Sequence, residues 1–154
     1  MSTSQSERQS WIQDIANQAR AGGHIFPEYA ASEAALESNW GQSKLAREAN
    51  NLFGQKYRQG CPYGELDLPT QEFLNGQWVT ITAHWIAYPD VATCFKDRMA
   101  TLQRLQHAYP HYGLALNALN GSIYVTEVSA TWSTDPTRAE KVLSIHNQYF
   151  GNNN

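Results

Sequence analysis

Two glutamates stand where residue type and spacing suggest acid–base chemistry. Glu37 lies in Ala34-Ala-Leu-Glu-Ser-Asn-Trp-Gly-Gln-Ser43, an alanine-rich stretch with helical character. Ala30, Ala34 and Glu37 recur at four and three, so the acid shares a stripe with two alanines. A carboxyl group on such an apolar face loses hydration. Its charged form is then disfavoured and its pKa is expected to rise, the state a general acid needs near neutral pH. Glu72 sits in Thr70-Gln-Glu-Phe-Leu-Asn-Gly76, just before an Asn-Gly turn. A carboxylate near a hairpin tip can overhang a cleft without being buried, which suits a base. Glycosidic cleavage uses such a pair, one group protonating the leaving oxygen and the second serving as base or nucleophile. Glu33, one turn before Glu37, would raise Glu37's pKa through its charge; the plainer reading is a salt-bridged or exposed carboxylate. Glu65 and Asp67 are loop acids that compete with Glu72 for the second role.

Other chemistries find less support. His24, His84, His107, His111 and His146 are scattered, with no HExxH pair, so no metal site is expected and no cofactor is called for. There is no Gly-x-Ser-x-Gly. Cys61 and Cys94 lack metal-site spacing, and two reduced thiols are expected. With a net charge of −3 and no Lys/Arg cluster, nucleic acid is not an expected partner. No apolar run approaches the ~20 residues of a membrane helix. The N-terminal Met1-Ser-Thr-Ser-Gln-Ser-Glu-Arg lacks the charged start and apolar stretch of a signal peptide. Synthesis in the cytoplasm is expected, so action outside it would need an exit route such as a phage holin or a secretion machine.

These side chains need elements to hold them. The chain has 154 residues, 42% of them hydrophobic and 16% charged, which fits one globular domain, taken as a monomer over residues 1–154. Trp11, Ile12, Ile15, Ala16 and Ala19 predict a helix over 4–20, stopped by Gly22-Gly23. Pro27 opens a second helix running to Trp40, and a short one follows over 43–49. Residues 58–69 read as irregular. Gln71–Leu74 and Trp78–Ala83 flank Asn75-Gly76 as a hairpin that must pack on the helices. A long amphipathic helix spans 90–107, a further helix 113–120, and Pro136 opens a last one reaching Tyr149. Asn152–Asn154 are expected to fray. The β-branched run within 122–132 leaves helix and strand both open.

The segments 34–43 and Asn50-Asn-Leu-Phe-Gly54 together resemble the signature of glycoside hydrolase family 73, bacterial endo-β-N-acetylglucosaminidases that cut peptidoglycan. Thr131-Trp-Ser-Thr-Asp-Pro136 is similar to the family's Tyr-Ala-Thr-Asp-Pro segment, with Trp132 in place of its active-site tyrosine and Asn39 where a glycine is more usual. The resemblance runs from Trp11 to Tyr149. It implies an α+β, mostly α, lysozyme-like helical domain with a small β-hairpin lobe, and a helix over 122–132. It assigns Glu37 as catalytic acid and Glu72 as second catalytic glutamate. It places the Asn50–Gly54 loop beside the acid, which makes Asn51, Phe53 and Trp132 the expected sugar-binding residues. The implied partner is the peptidoglycan glycan strand, cut after N-acetylglucosamine. A muramidase or lytic transglycosylase on the same fold is the alternative enzyme, and a catalytically weak wall-binding module the alternative of a different kind.

Overall fold

The computed structural model describes residues 4–151. Asn152–Asn154, expected to fray, lie outside them.

Helix α1 (Gln5–Ala21) begins with a reciprocal cap: the Glu7 amide donates to Ser4 Oγ at 3.1 Å, and the Ser4 amide to Glu7 Oε1 at 3.2 Å. Its stripe of Ile12, Ile15, Ala16 and Ala19 is buried, as the periodicity predicts. It packs on α2 (Pro27–Glu37), whose residues from Tyr29 to Ala35 are all buried. A helix enclosed on every side must be lined with small residues, and Ala30, Ala31, Ala34 and Ala35 let its neighbours approach closely.

The expected helix to Trp40 stops three residues early. Asn39, Trp40 and Gly41 have φ of 51°, 58° and 76°, a left-handed run that no α-helix contains. Asn tolerates this region better than most residues, which explains Asn39 at a position where glycine is common. Trp40 is held there by its ring, packed against Trp11 at 5.7 Å, Tyr149 at 5.0 Å and the Arg8 guanidinium at 4.6 Å. Ser38 clamps the turn, donating to the Ala34 carbonyl at 2.6 Å and accepting from the Gly41 amide at 2.8 Å. Glu37 is therefore the last residue of α2. Helix α3 (Lys44–Ala49) starts at the Ser43 cap and ends at Asn50, whose φ is 52°.

Strands β1 (Gly64–Leu74) and β2 (Gln77–Ala87) form an antiparallel ribbon, longer than the sequence suggested, with Leu74 opposite Gln77. Residues 64–69, expected to be irregular, belong to β1; Pro69 is tolerated because the outer edge of a two-stranded sheet needs no ladder donor. Asn75 and Gly76, both at positive φ, close the hairpin. Residues 55–57 run along the base of β2, with the Ile86 amide donating to the Gln55 carbonyl at 3.1 Å and the Tyr57 amide to the His84 carbonyl at 2.9 Å. That third partner joins the ribbon to the helices.

Helix α4 (Val91–Leu105) follows, then α5 (Pro110–Leu116), which begins at Pro110 rather than 113 because proline is well placed in a first turn. Residues 122–132 are helical: α6 (Gly121–Trp132) is capped by Asn120 and its Tyr124, Val125 and Val128 are buried. Tertiary burial overrides the strand preference of those residues. Helix α7 (Arg138–Phe150) begins two residues after Pro136, beyond a turn in which Asp135 accepts from the Thr137 amide at 2.9 Å. The core has two parts. One is built on α1, α2 and Phe95 of α4, the other on Leu102, Tyr112, Tyr124, Val128 and Val142, and Trp132 packs against both. No helix among the described residues is long and apolar enough to cross a membrane.

Candidate active site

A cleft of about 700 Å³ opens where α2 ends. Glu37 lines it, with Phe53 and Lys56–Arg58 of the loop after α3, Arg104 of α4, Tyr112 of α5, and Trp132–Thr134 at the end of α6. Three of the sequence-predicted residues, Glu37, Phe53 and Trp132, thus meet at one surface.

The setting of Glu37 differs from the expected apolar stripe. Its side chain is 24% exposed, and Arg138 Nε donates to its Oε1 at 2.9 Å. The residue buried among the alanines is Glu33, wholly enclosed. Arg98 donates to both Glu33 oxygens, at 3.2 and 2.7 Å, and Arg138 Nη2 adds a bond at 2.7 Å to Oε2. The Tyr124 hydroxyl completes the set at 2.5 Å from Oε1. Burial pushes the Glu33 carboxyl up, but the two guanidinium charges and these hydrogen bonds outweigh it and hold it well below the usual carboxylate range. With two cations on it, Glu33 is a salt-bridged carboxylate; it anchors Arg138, and Arg138 holds Glu37. Ser129 Oγ accepts a third bond from Arg138 at 2.8 Å, so the guanidinium has no freedom to swing away.

Arg98 also organises the aromatic wall. Its guanidinium lies 4.2 Å from the Phe53 ring centre and 4.1 Å from that of Trp132. Trp132 meets Phe53 edge-on at 6.1 Å and Tyr112 at the same distance. Arg98 covers one part of the indole, which leaves the remainder to the cleft. Phe53 is 3% exposed and acts mainly as backing for Trp132.

Asn51 does not reach the cleft. It is 1% exposed, its amide donates to the Gln55 and Ile86 carbonyls at 2.9 Å each, and its oxygen accepts from the Gln55 amide at 3.1 Å. With its hydrogen-bonding groups spent on backbone, it fastens the loop to β2 rather than contacting sugar. Glu72 stands on the inner face of the ribbon, opposite Val79, lining a smaller hollow with Thr70, Ile81, Lys56 and Tyr57. Lys56 and Tyr57 border both spaces, but Glu72 is not among the residues around Glu37. Glu65 and Asp67 face the other side and share His84, whose Nδ1 is 2.7 Å from each. These three are close enough to approach one cation together, yet they already satisfy one another. Cys61 is half-buried and Cys94 buried, both as free thiols; burial pushes the Cys94 thiol up to about 12, which makes it a poor nucleophile.

The sequence reading missed Arg98, Arg138, Tyr112 and Tyr124. Arg98 had a signal: it lies on the same stripe of α4 as Phe95 and Leu102, where a charge must find a partner.

The family profile described as glucosaminidase, mannosyl-glycoprotein endo-beta-N-acetylglucosaminidase, matches residues 13–150. The chain belongs to this family of glycoside hydrolases. The glucosaminidase domain is 34% identical over 151 residues to a "Probable N-acetylmuramidase" of Lactococcus lactis subsp. cremoris, covering 92% of this chain and 33% of that protein. It is 30% identical over 128 residues to the exo-glucosaminidase LytG of Bacillus subtilis, covering 82% of the chain and 45% of the relative. The chain thus spans about a third to under a half of the length of these relatives. Among solved structures, the catalytic domain of the autolysin Auto from Listeria monocytogenes has a TM-score of 0.77 at 24% identity, with 99% of this chain and 91% of that one covered. The glycoside hydrolase domain of Salmonella typhimurium FlgJ has a TM-score of 0.75 at 25% identity, with 95% and 99% covered. The lysozyme-like α+β fold with a hairpin lobe is therefore present as expected.

Proposed function

We propose that the glucosaminidase domain hydrolyses the β-1,4 glycan of peptidoglycan, as an endo-β-N-acetylglucosaminidase with Glu37 as proton donor. The observation that carries this reading is Glu37 itself: the carboxyl of the Ala-Leu-Glu-Ser motif ends a buried helix, opens on a cleft of about 700 Å³, and is oriented by a guanidinium that Glu33 and Ser129 also hold. Trp132 and Tyr112 offer ring faces and edges for sugars, and Ser133 and Thr134 offer hydroxyls. Glu37 protonates the glycosidic oxygen; Glu72, in the hollow that shares Lys56 and Tyr57 with the cleft, assists water or stabilises positive charge on the sugar. The relatives' names, glucosaminidase and peptidoglycan hydrolase among them, support the substrate. Action on the wall, outside the cytoplasm, is part of the same proposal.

Muramidase action remains the second reading, because Lactococcus relatives at 34% identity carry that name. Sacculi digested with the protein, reduced with borohydride and analysed by mass spectrometry separate the two. Reduced N-acetylglucosamine at the new ends is the expected product. Reduced muramic acid would move the assignment to muramidase, and anhydro-muramic ends to a transglycosylase. In a turbidity assay, Glu37→Gln is expected to lower lysis by about 10²–10⁴-fold with the fold intact, as loss of a general acid does. Glu72→Gln is expected to impair lysis severely with little change in Tm. A Glu65→Gln or Asp67→Asn variant more damaged than Glu72→Gln would assign the second role elsewhere.

A further inference from the structure

Lys56, Arg58 and Arg104 all line the cleft, whereas Glu37 is its one lining carboxylate among the described residues, and Arg138 already pairs with that one. This concentration of positive charge occurs in a chain of net charge −3. Lys56 and Arg104 are exposed and form no ion pair among the described residues, although Lys56 lies over the Trp85 ring at 5.9 Å. Arg58 donates to the buried Asp97 at 3.2 Å, and its side chain remains 33% exposed. A glycan of N-acetylated sugars whose muramyl carboxyls are tied up in peptide amides is uncharged. Its hydroxyls and acetamides can be met by the aromatic and hydroxyl residues of the same cleft. Ammonium and guanidinium groups add affinity and approach rate chiefly when the ligand brings negative charge.

We propose that Lys56, Arg58 and Arg104 form a subsite for the free carboxylates of the peptides carried on the glycan, so that chains with free peptide carboxylates are preferred to chains whose peptide carboxylates are amidated. The inference rests on the glycan-hydrolase reading of the cleft and specifies the substrate further. Arg58 is held in place by Asp97, which is itself fixed by a 2.6 Å bond from the Tyr88 hydroxyl, so one fork of the subsite is preformed. Arg104 and Lys56 flank it from α4 and from the strand-like segment beside β2. Guanidinium–carboxylate pairing supplies direction as well as charge. Because surrounding salt screens charges beyond about 10 Å, the acidic remainder of the molecule does not cancel this local attraction.

Soluble glycan chains in two forms test the proposal, one with free carboxylates on its peptides and one with those carboxylates amidated. The wild-type protein should cleave the free-carboxylate form with a kcat/KM roughly fivefold to tenfold above the amidated form, and added salt should erode the difference. Lys56→Gln with Arg104→Gln should bring that ratio down towards one. A separate arm uses a muramyl tripeptide, which has no internal glycosidic bond and reports on binding whether or not the protein cleaves glycans. The free-carboxylate tripeptide should shift the Arg58 and Arg104 Nε–H resonances, and its amidated counterpart should not. Equal shifts from both peptides, or no shift from either, would overturn the subsite. So would equal cleavage of the two glycans. Full lysis by Glu37→Gln would instead overturn the hydrolase reading, without touching the peptide-binding result.

Discussion

Arg138 is the residue on which the site turns. It meets a buried carboxylate with one nitrogen, a hydroxyl with another, and the cleft carboxylate with its Nε. Arg138→Met should destabilise the fold by about 3 kcal/mol, because it strips a partner from a buried charge, with Arg98 left to limit the loss. Glu37 then loses the side chain that orients it, so lysis by the folded variant should fall by about 10²-fold in a turbidity assay, and lysis at the wild-type rate would contradict this. Trp132 has a comparable double duty. Trp132→Ala uncovers Arg98 and Phe53 and should cost about 3 kcal/mol along with activity. Trp132→Tyr keeps a ring beside Arg98 and should retain lysis within about tenfold. At this scale local motifs in the sequence pointed to Glu37 and Trp132, both of which line the cleft. It misread Asn51, because an amide that binds backbone and an amide that binds sugar have the same letter. It could not foresee Arg138, whose partners Glu33 and Glu37 lie a hundred residues away in the chain.

Among the elements, helices with clean apolar stripes, α1 and α4, were legible, whereas α6 was not: its Ile, Val and Thr residues favour strand in isolation, and only burial decides otherwise. Its first residue is constrained by contact. A Cβ at Gly121 would come within 2.0 Å of the Tyr29 ring, which is itself stacked on His146 at 3.7 Å. The hairpin was legible at its turn and illegible at its base, where proline and glycine in 60–69 mimic a loop. On the ribbon's outer face, the hydrogen bond and charge of Asp67, with Glu65 behind them, raise the His84 pKa above its ordinary value. An NMR titration of the His84 ring should find that elevation reduced in Asp67→Asn. An unchanged midpoint would mean that the cross-strand contact is not kept in solution. Because His84 lies opposite Asp67 in the register, the same measurement reports on strand alignment.

Taken whole, the molecule encloses a polar chain running from His24 through Tyr124 and Glu33 to the two arginines. His24 is buried with Nδ1 accepting from the Phe26 amide at 3.3 Å, and its Nε2 is 3.3 Å from the Tyr124 hydroxyl. Burial, reinforced by the Arg98 charge, pushes its pKa down from 6.5 to about 3. Between those values the unfolded chain binds a proton that the folded one refuses, so stability is fully present above pH 6.5 and falls as pH drops. Glu33, also depressed on folding, acts in the same direction below 4.5. Thermal unfolding at pH 7, 5 and 4 should give a steadily falling Tm; a flat series would show that the chain of polar contacts is open to water. None of this was visible in composition, which reports how many charges a protein has and not which of them share an interior. The sharing of Arg138 has a historical consequence. Loss of Glu33 leaves the Arg98 guanidinium buried without a carboxylate and Arg138 with Glu37 alone, whereas simultaneous loss of all three charges leaves an ordinary apolar core. A lineage that carries the trio can therefore shed Glu33 only through poorly folded intermediates, and the orientation of Glu37 is inherited with it.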